Sequence, residues 1–175
     1  MMTREDALVL LQGYRPEPHM MQHALASGAV MRALARHFGE DEQLWGLTGL
    51  LHDLDYPMTK DAPEQHGLKA AELLAGKLPE QAVTAIKAHN SGHTGCEPGA
   101  RLDFALRAAE TVTGLITAAA LMRPTGMEGM EVKSLKKKMK DKAFAAAVCR
   151  DRIRECERMG LPLDEFLTIA ITAMR

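Results

Sequence analysis

Aromatic side chains are scarce in this sequence, at 4% of the total: Trp 1, Tyr 2 and Phe 4. No stretch interleaves them with basic residues, so the composition offers no platform for stacked bases. An excess of charge of one sign is missing too. The 22 Lys and Arg balance 23 Asp and Glu to a net −1, which gives no pull toward a nucleic-acid polymer or an anionic membrane. Cysteine is sparse. Cys96, Cys149 and Cys156 form no Cys-x-x-Cys pair and are odd in number, so neither a disulfide framework nor a cysteine-based zinc module is expected, and a reduced cytoplasmic setting is. No apolar run approaches the ~20 residues of a membrane span. The opening residues, Met1-Met2-Thr3-Arg4-Glu5-Asp6, carry charges where a signal peptide needs an apolar stretch. Strand alternation, internal repeats and a Gly-Lys-Ser/Thr phosphate loop are also lacking.

What remains is rich in Met (12) and Ala, with 46% hydrophobic residues in a chain of 175, enough for one well-buried core of closely packed helices. Helix punctuation is clear. Thr3 with Asp6 reads as an N-cap and first-turn acid, and Gly13 closes that helix. A long helix from about His19 to Phe38 stops at Gly39, and Asp41 caps the next, which ends at Leu50-Leu51-His52-Asp53-Leu54-Asp55-Tyr56-Pro57. Pro57 to Pro63 reads as a loop, and Asp61-x-x-Glu64 as a capping box opening a helix to Gly76. Pro79 opens a helix that delivers His89 at its end, ahead of the polar loop Asn90 to Gly95. Arg101 to Met122 is the longest helix. Val132 to Lys142, Ala143 to Met159 and Pro162 to Met174 follow, and Cys149 and Cys156, seven apart, can share the core face of the second of these. The fold class read from this pattern is all-α.

The chemistry centres on His52-Asp53. A free imidazole and carboxylate at the end of an apolar helix are costly to bury, and a metal ion removes that cost, since both groups are first-row metal ligands. Read blandly, the histidine favours the helix dipole and the aspartate turns the chain. His23 shares a face with Ser27, Val30 and Leu34 and is either a satisfied core histidine or a ligand. Gly46 and Gly49, on the side of Asp53, imply that a neighbouring helix or a ligand comes close. His66 is read as lying in a first helical turn with Lys69 on its face. Glu110, on a narrow polar strip with Thr113, Gly114 and Thr117, needs a partner, either Arg107 at i−3 or a metal. The lysine run Lys133 to Lys142 is either a solvated face or a phosphate-attracting rim. His23, His52, Asp53, His66, His89 and Glu110 together would suit a two-metal centre with a bridging carboxylate.

The series His…His-Asp…acid, with Leu47 to Tyr56, Glu64 to Lys69, Ala85 to Asn90, Ala108 to Leu115 and Val132 to Lys138, resembles small stand-alone members of the HD-domain phosphohydrolase superfamily, from about Met20 onward. That resemblance implies an all-α HD fold of about seven to nine helices. It implies one domain over 1–175, with a motif-bearing core at about 19–122 and C-terminal helices at about 132–174. His23, His52 and Asp53 become the signature ligands, His66 and His89 the ligands of a second ion, and Glu110 stands where the family places an aspartate. The implied cofactors are one or two divalent transition-metal ions (Mn, Fe, Co, Ni or Zn). The implied activity is metal-dependent hydrolysis of a phosphate ester, of a nucleotide or another small phosphorylated metabolite, by a metal-bound hydroxide. Asp53 is then catalytic as well as ligating, Asp55 orients water or a ligand, and Lys69 contacts phosphate. The alternative is a non-catalytic metal-binding regulatory or interaction protein whose site has decayed at Glu110. Expected partners are a small phosphorylated substrate and a second copy of the chain, with no membrane and no nucleic-acid polymer.

Overall fold

The structure, a computed structural model, describes residues 2–175, and no strand occurs among them. The helices are α1 (Arg4–Gly13), α2 (Pro18–Phe38), α3 (Glu42–Leu51), α4 (Tyr56–Thr59), α5 (Leu68–Leu74) and α6 (Glu80–His89). They continue with α7 (Ser91–Thr94), α8 (Arg101–Leu121), α9 (Val132–Lys140), α10 (Arg150–Arg154) and α11 (Leu163–Ala173). Short 3-10 turns lie at Pro63–Gln65 and Glu155–Met159. One connected core runs from Ala7 through Leu51, Ile86 and Ile116 to Ile171.

Caps and stops sit where local chemistry puts them. Thr3 and Asp6 make a reciprocal capping box on α1, Asp41 Oδ1 accepts from Gln43 and Leu44 N–H at 2.9 Å each, and Gly39 ends α2 at φ 70°. Helix α8 packs against α2, α6, α10 and α11 and forms the spine of the fold. By length and composition α8 does match a membrane span, contrary to the reading of the sequence, but 67% of that window is buried inside the fold, which explains its apolar surface.

The glycines of α3 let α2 come close. A Cβ on Gly49 would lie 2.7 Å from Ser27 O and 2.8 Å from Met31 Cγ, so backbone would meet backbone. Gly49→Ala is therefore expected to destabilise the fold by about 3 kcal/mol, read as a drop in the denaturation midpoint. Full stability in that variant would show that the two helices can separate freely.

Several elements depart from the sequence reading. Asp61-x-x-Glu64 does not open a helix: Pro63–Gln65 is a 3-10 turn, and α5 begins only after Gly67, whose φ of 88° few other residues tolerate. His66 thus precedes α5. Pro57 sits in the first turn of the one-turn helix α4, and Asn90 to Gly95 contains α7. The expected helix Ala143 to Met159 is broken, with turns up to Cys149 and only α10 and a 3-10 turn beyond. Cys149 is consequently exposed while Cys156 is buried, and neither they nor Cys96 form a disulfide.

Candidate metal centre

Asp53 lies just past the C-terminus of α3, where the chain turns, with its side chain only 13% exposed. Its two oxygens face different partners. Oδ2 lies 3.3 Å from His52 Nε2 and 3.5 Å from His23 Nε2, while Oδ1 lies 3.2 Å from His66 Nε2 and 3.4 Å from His89 Nε2. Within each pair the imidazoles close on one another, His23 and His52 at 3.2 Å and His66 and His89 at 3.0 Å, Nε2 to Nε2. Two three-residue donor sets, His23-His52-Asp53 and Asp53-His66-His89, share the one carboxylate.

Each ring is oriented from behind through Nδ1. His52 Nδ1 donates to Gly49 O at 2.7 Å, and His89 Nδ1 to Ile86 O. His66 Nδ1 donates to Asp55 Oδ1 at 2.8 Å. His23 Nδ1 meets Thr113 Oγ1 at 3.1 Å, and because that hydroxyl donates to Glu110 O at 2.7 Å it accepts from the imidazole. In their neutral form, with the proton on Nδ1, the rings would turn four Nε2 lone pairs toward each other and toward a carboxylate. Acceptors facing acceptors at these distances need cations between them. The two donor sets, which share Asp53, could each hold a divalent ion, and the outer partners would then fix the tautomer of each ring.

Protons are the rival cations. Burial opposes charge on His66, but its hydrogen bonds to Asp53 and Asp55 outweigh that and raise its pKa to about 10. Burial likewise opposes charge on Asp53, yet His52 above all, with His66 and His89, holds its carboxyl well below the usual range. Burial leads on His23 and lowers its pKa. A metal entering below pH 10 must displace the His66 proton, so binding should release protons and tighten as pH rises toward about 10. The metal-free protein should behave oppositely. A pKa raised in the folded state stabilises fully below about 6.5 and less at each step toward 10, so its melting temperature should fall across that window. Metal titrations and thermal melts at several pH values check both signs.

The other expected site residues divide. Asp55 is fully buried, and its carboxylate accepts from His66 and from the backbone N–H of Gly67 at 2.8 Å and Ala70 at 2.9 Å. It orients the His66 ring, and with 0% of its surface exposed it does not face solvent. Glu110 stands outside both donor sets, with Thr111 Oγ1 donating to its Oε1 at 2.5 Å and Arg152 Nη1 3.7 Å away. Arg107 is not its partner, because that guanidinium grips Glu155 at 2.7 and 2.8 Å and donates to Ala88 O and Ser91 Oγ. The Lys69 side chain is exposed and donates to Glu72 at 2.9 Å. In the lysine run, Lys136 pairs with Asp164 and Lys138 covers the Phe144 ring.

Sequence reasoning missed three supporting roles. Thr113 was noted only as part of a strip, Asn90 ties His66 O and Pro63 O to the end of α6, and Arg152 drew no notice. Only Thr113, one turn from Glu110, left a local signal.

Two clefts open on the centre. One of about 430 Å³ holds His23, Asp53 and Tyr56, and one of about 230 Å³ holds His23, Glu110 and Arg152. A further concavity of about 570 Å³ between α1, α2 and α3 shares no ligand with the centre.

The HD domain family matches residues 20–120, more than half of the chain and the span that carries the four histidines and Asp53. This is an HD-domain protein. Comparison with curated proteins and with solved structures gave no match. HD-domain proteins are generally metal-dependent hydrolases of a phosphohydrolase superfamily, and the paired histidines around Asp53 accord with that membership.

Proposed function

We propose that this HD-domain protein is a metal-dependent phosphohydrolase acting on a small phosphate ester, a nucleotide or another phosphorylated metabolite. The observation that carries the reading is the sharing of Asp53 between two histidine pairs, which suits a two-ion clamp on a phosphoryl group. When bound, such ions acidify water and neutralise charge building on phosphate oxygens. The chain's own part is preorganisation. His23, His52, His66 and His89 would hold the ions with Asp53 between them, and Thr113 and Asp55 keep two of those rings from turning. His52 and His89 are buried, which strengthens the electrostatic contacts their rings make with Asp53.

The test is hydrolysis of a panel of phosphomonoesters and phosphodiesters by protein loaded with Mn, Ni or Zn, beside His66→Ala and His89→Ala. Turnover on at least one ester, lost in both variants, is the expected result. Lys69→Ala should stay within about twofold of the wild type, since its ammonium is exposed and already paired. The position of Glu110, facing Arg152 instead of the ligands, favours one other reading: a metal-binding regulatory or interaction protein. Bound metal without turnover on any ester would establish that reading and end the hydrolase one.

A further inference from the structure

The two clefts differ in charge. The larger is walled by Met20, Gln22, Tyr56, Thr117, Ala118 and Leu121, with no lysine or arginine in its lining. The smaller, joined to it at His23 and Gly114, is walled by the Ala147-Val148-Cys149 segment and by Arg152. Arginines nearby are committed to structure. Arg107 is consumed by Glu155, Ala88 and Ser91, and Arg150 donates to the carbonyls of Ala145, Val148, Asp141 and Phe144, gathering the segment that forms the cleft wall. Arg152 is different. Its Nη1 lies 3.7 Å from Glu110, too long for a hydrogen bond, and no hydrogen bond engages its Nε or Nη2 among the described residues. Its side chain is 32% exposed, so the guanidinium keeps an open fork of donors toward a cleft that also contains a ligand of the metal centre.

Resting on the phosphohydrolase reading, we propose that Arg152, held in place by the Glu110 carboxylate, is the substrate's anion contact. The phosphate of a monoester then lies on the Arg152 side and its uncharged alcohol portion fills the larger cleft. A guanidinium fork matches two phosphate oxygens, and ions on the Asp53 side would meet the others. The larger cleft has no lysine or arginine and carries Asp53 in its lining, which disfavours a second phosphate there, so a monoester of an uncharged group is the substrate class. Glu110 in this arrangement is a positioning residue for the arginine, not a ligand.

Calorimetric binding of inorganic phosphate to the Mn-loaded full chain tests this, with metal content measured in parallel. Wild type, Arg152→Ala, Arg152→Lys and Glu110→Gln should carry equal metal. Phosphate binding should weaken about tenfold or more in Arg152→Ala and Glu110→Gln, and recover partly in Arg152→Lys. Ala118→Trp, which crowds the larger cleft, should weaken phenyl phosphate binding and spare inorganic phosphate. Unchanged phosphate affinity in Arg152→Ala, loss of metal in Glu110→Gln, or equal weakening of both ligands in Ala118→Trp would each overturn the assignment while leaving the hydrolase reading intact. A metal-loaded wild type that binds no phosphate would bring down both together.

Discussion

Asp53→Ala should empty both halves of the centre at once, taking bound metal from about two ions per chain to none and phosphoester turnover down by at least about 10³-fold. The expectation follows from the way its oxygens divide, Oδ2 to His23 and His52 and Oδ1 to His66 and His89. Without the shared carboxylate each donor set would keep only its two imidazoles, and nothing anionic would stand between two ions. Single histidine variants should be gentler. His23→Ala or His52→Ala should loosen only the Oδ2 ion, and His66→Ala or His89→Ala only the Oδ1 ion. Elemental analysis of the five variants separates the cases. Equal loss from all of them would mean the ions bind only as a pair, and retention of one ion in Asp53→Ala would mean that the carboxylate does not bridge.

The second large effect belongs to a residue that touches no ion. Asp55→Ala should cost about 3–5 kcal/mol of stability and weaken the Oδ1-side ion about 10–100-fold. The fully buried carboxylate satisfies the Gly67 and Ala70 N–H groups, the first donors of α5, and fixes the His66 ring. Its removal strands those donors away from water and frees His66 to rotate. Asp55→Asn keeps the shape but turns an amide N–H toward donors, so it should recover only part of the stability. Chemical denaturation of the metal-free protein isolates the structural part of the effect, and metal titration the rest. A stable Asp55→Ala with wild-type metal affinity would show that α5 and His66 need no anchor.

The contrast between these two aspartates explains what the sequence could and could not disclose. Asp53 was legible because it follows a strongly apolar helix next to a histidine, and the close approach signalled by Gly46 and Gly49 is met by α2, as Gly28 and Ser27 confirm. Stops written locally, such as Gly39 after α2 and Asp41 before α3, were legible for the same reason. Partners far apart in the chain were not. Glu110 has Arg107 one turn away, which local spacing favours, yet Glu155, 48 residues on, takes that guanidinium and leaves Glu110 to Arg152. The break in the expected Ala143 to Met159 helix has a similar cause: Arg150 gathers carbonyls that a helix would have used, and no periodicity reports that. Asp61-x-x-Glu64 had the composition of a helix start, but Pro63 and the positive φ of Gly67 delay α5 to Leu68.

Whether Asp53 bridges two ions is tested most directly by titrating Mn²⁺ into the metal-free chain while following its electron paramagnetic resonance. About two ions should bind per chain, and the second should broaden the six-line signal of the first through coupling across the shared carboxylate, as expected for ions about 3.5–4 Å apart. A protein that binds no Mn²⁺, and none of Ni²⁺ or Zn²⁺ in its place, would contradict the metal centre and leave the four histidines around Asp53 as a proton-bridged cluster.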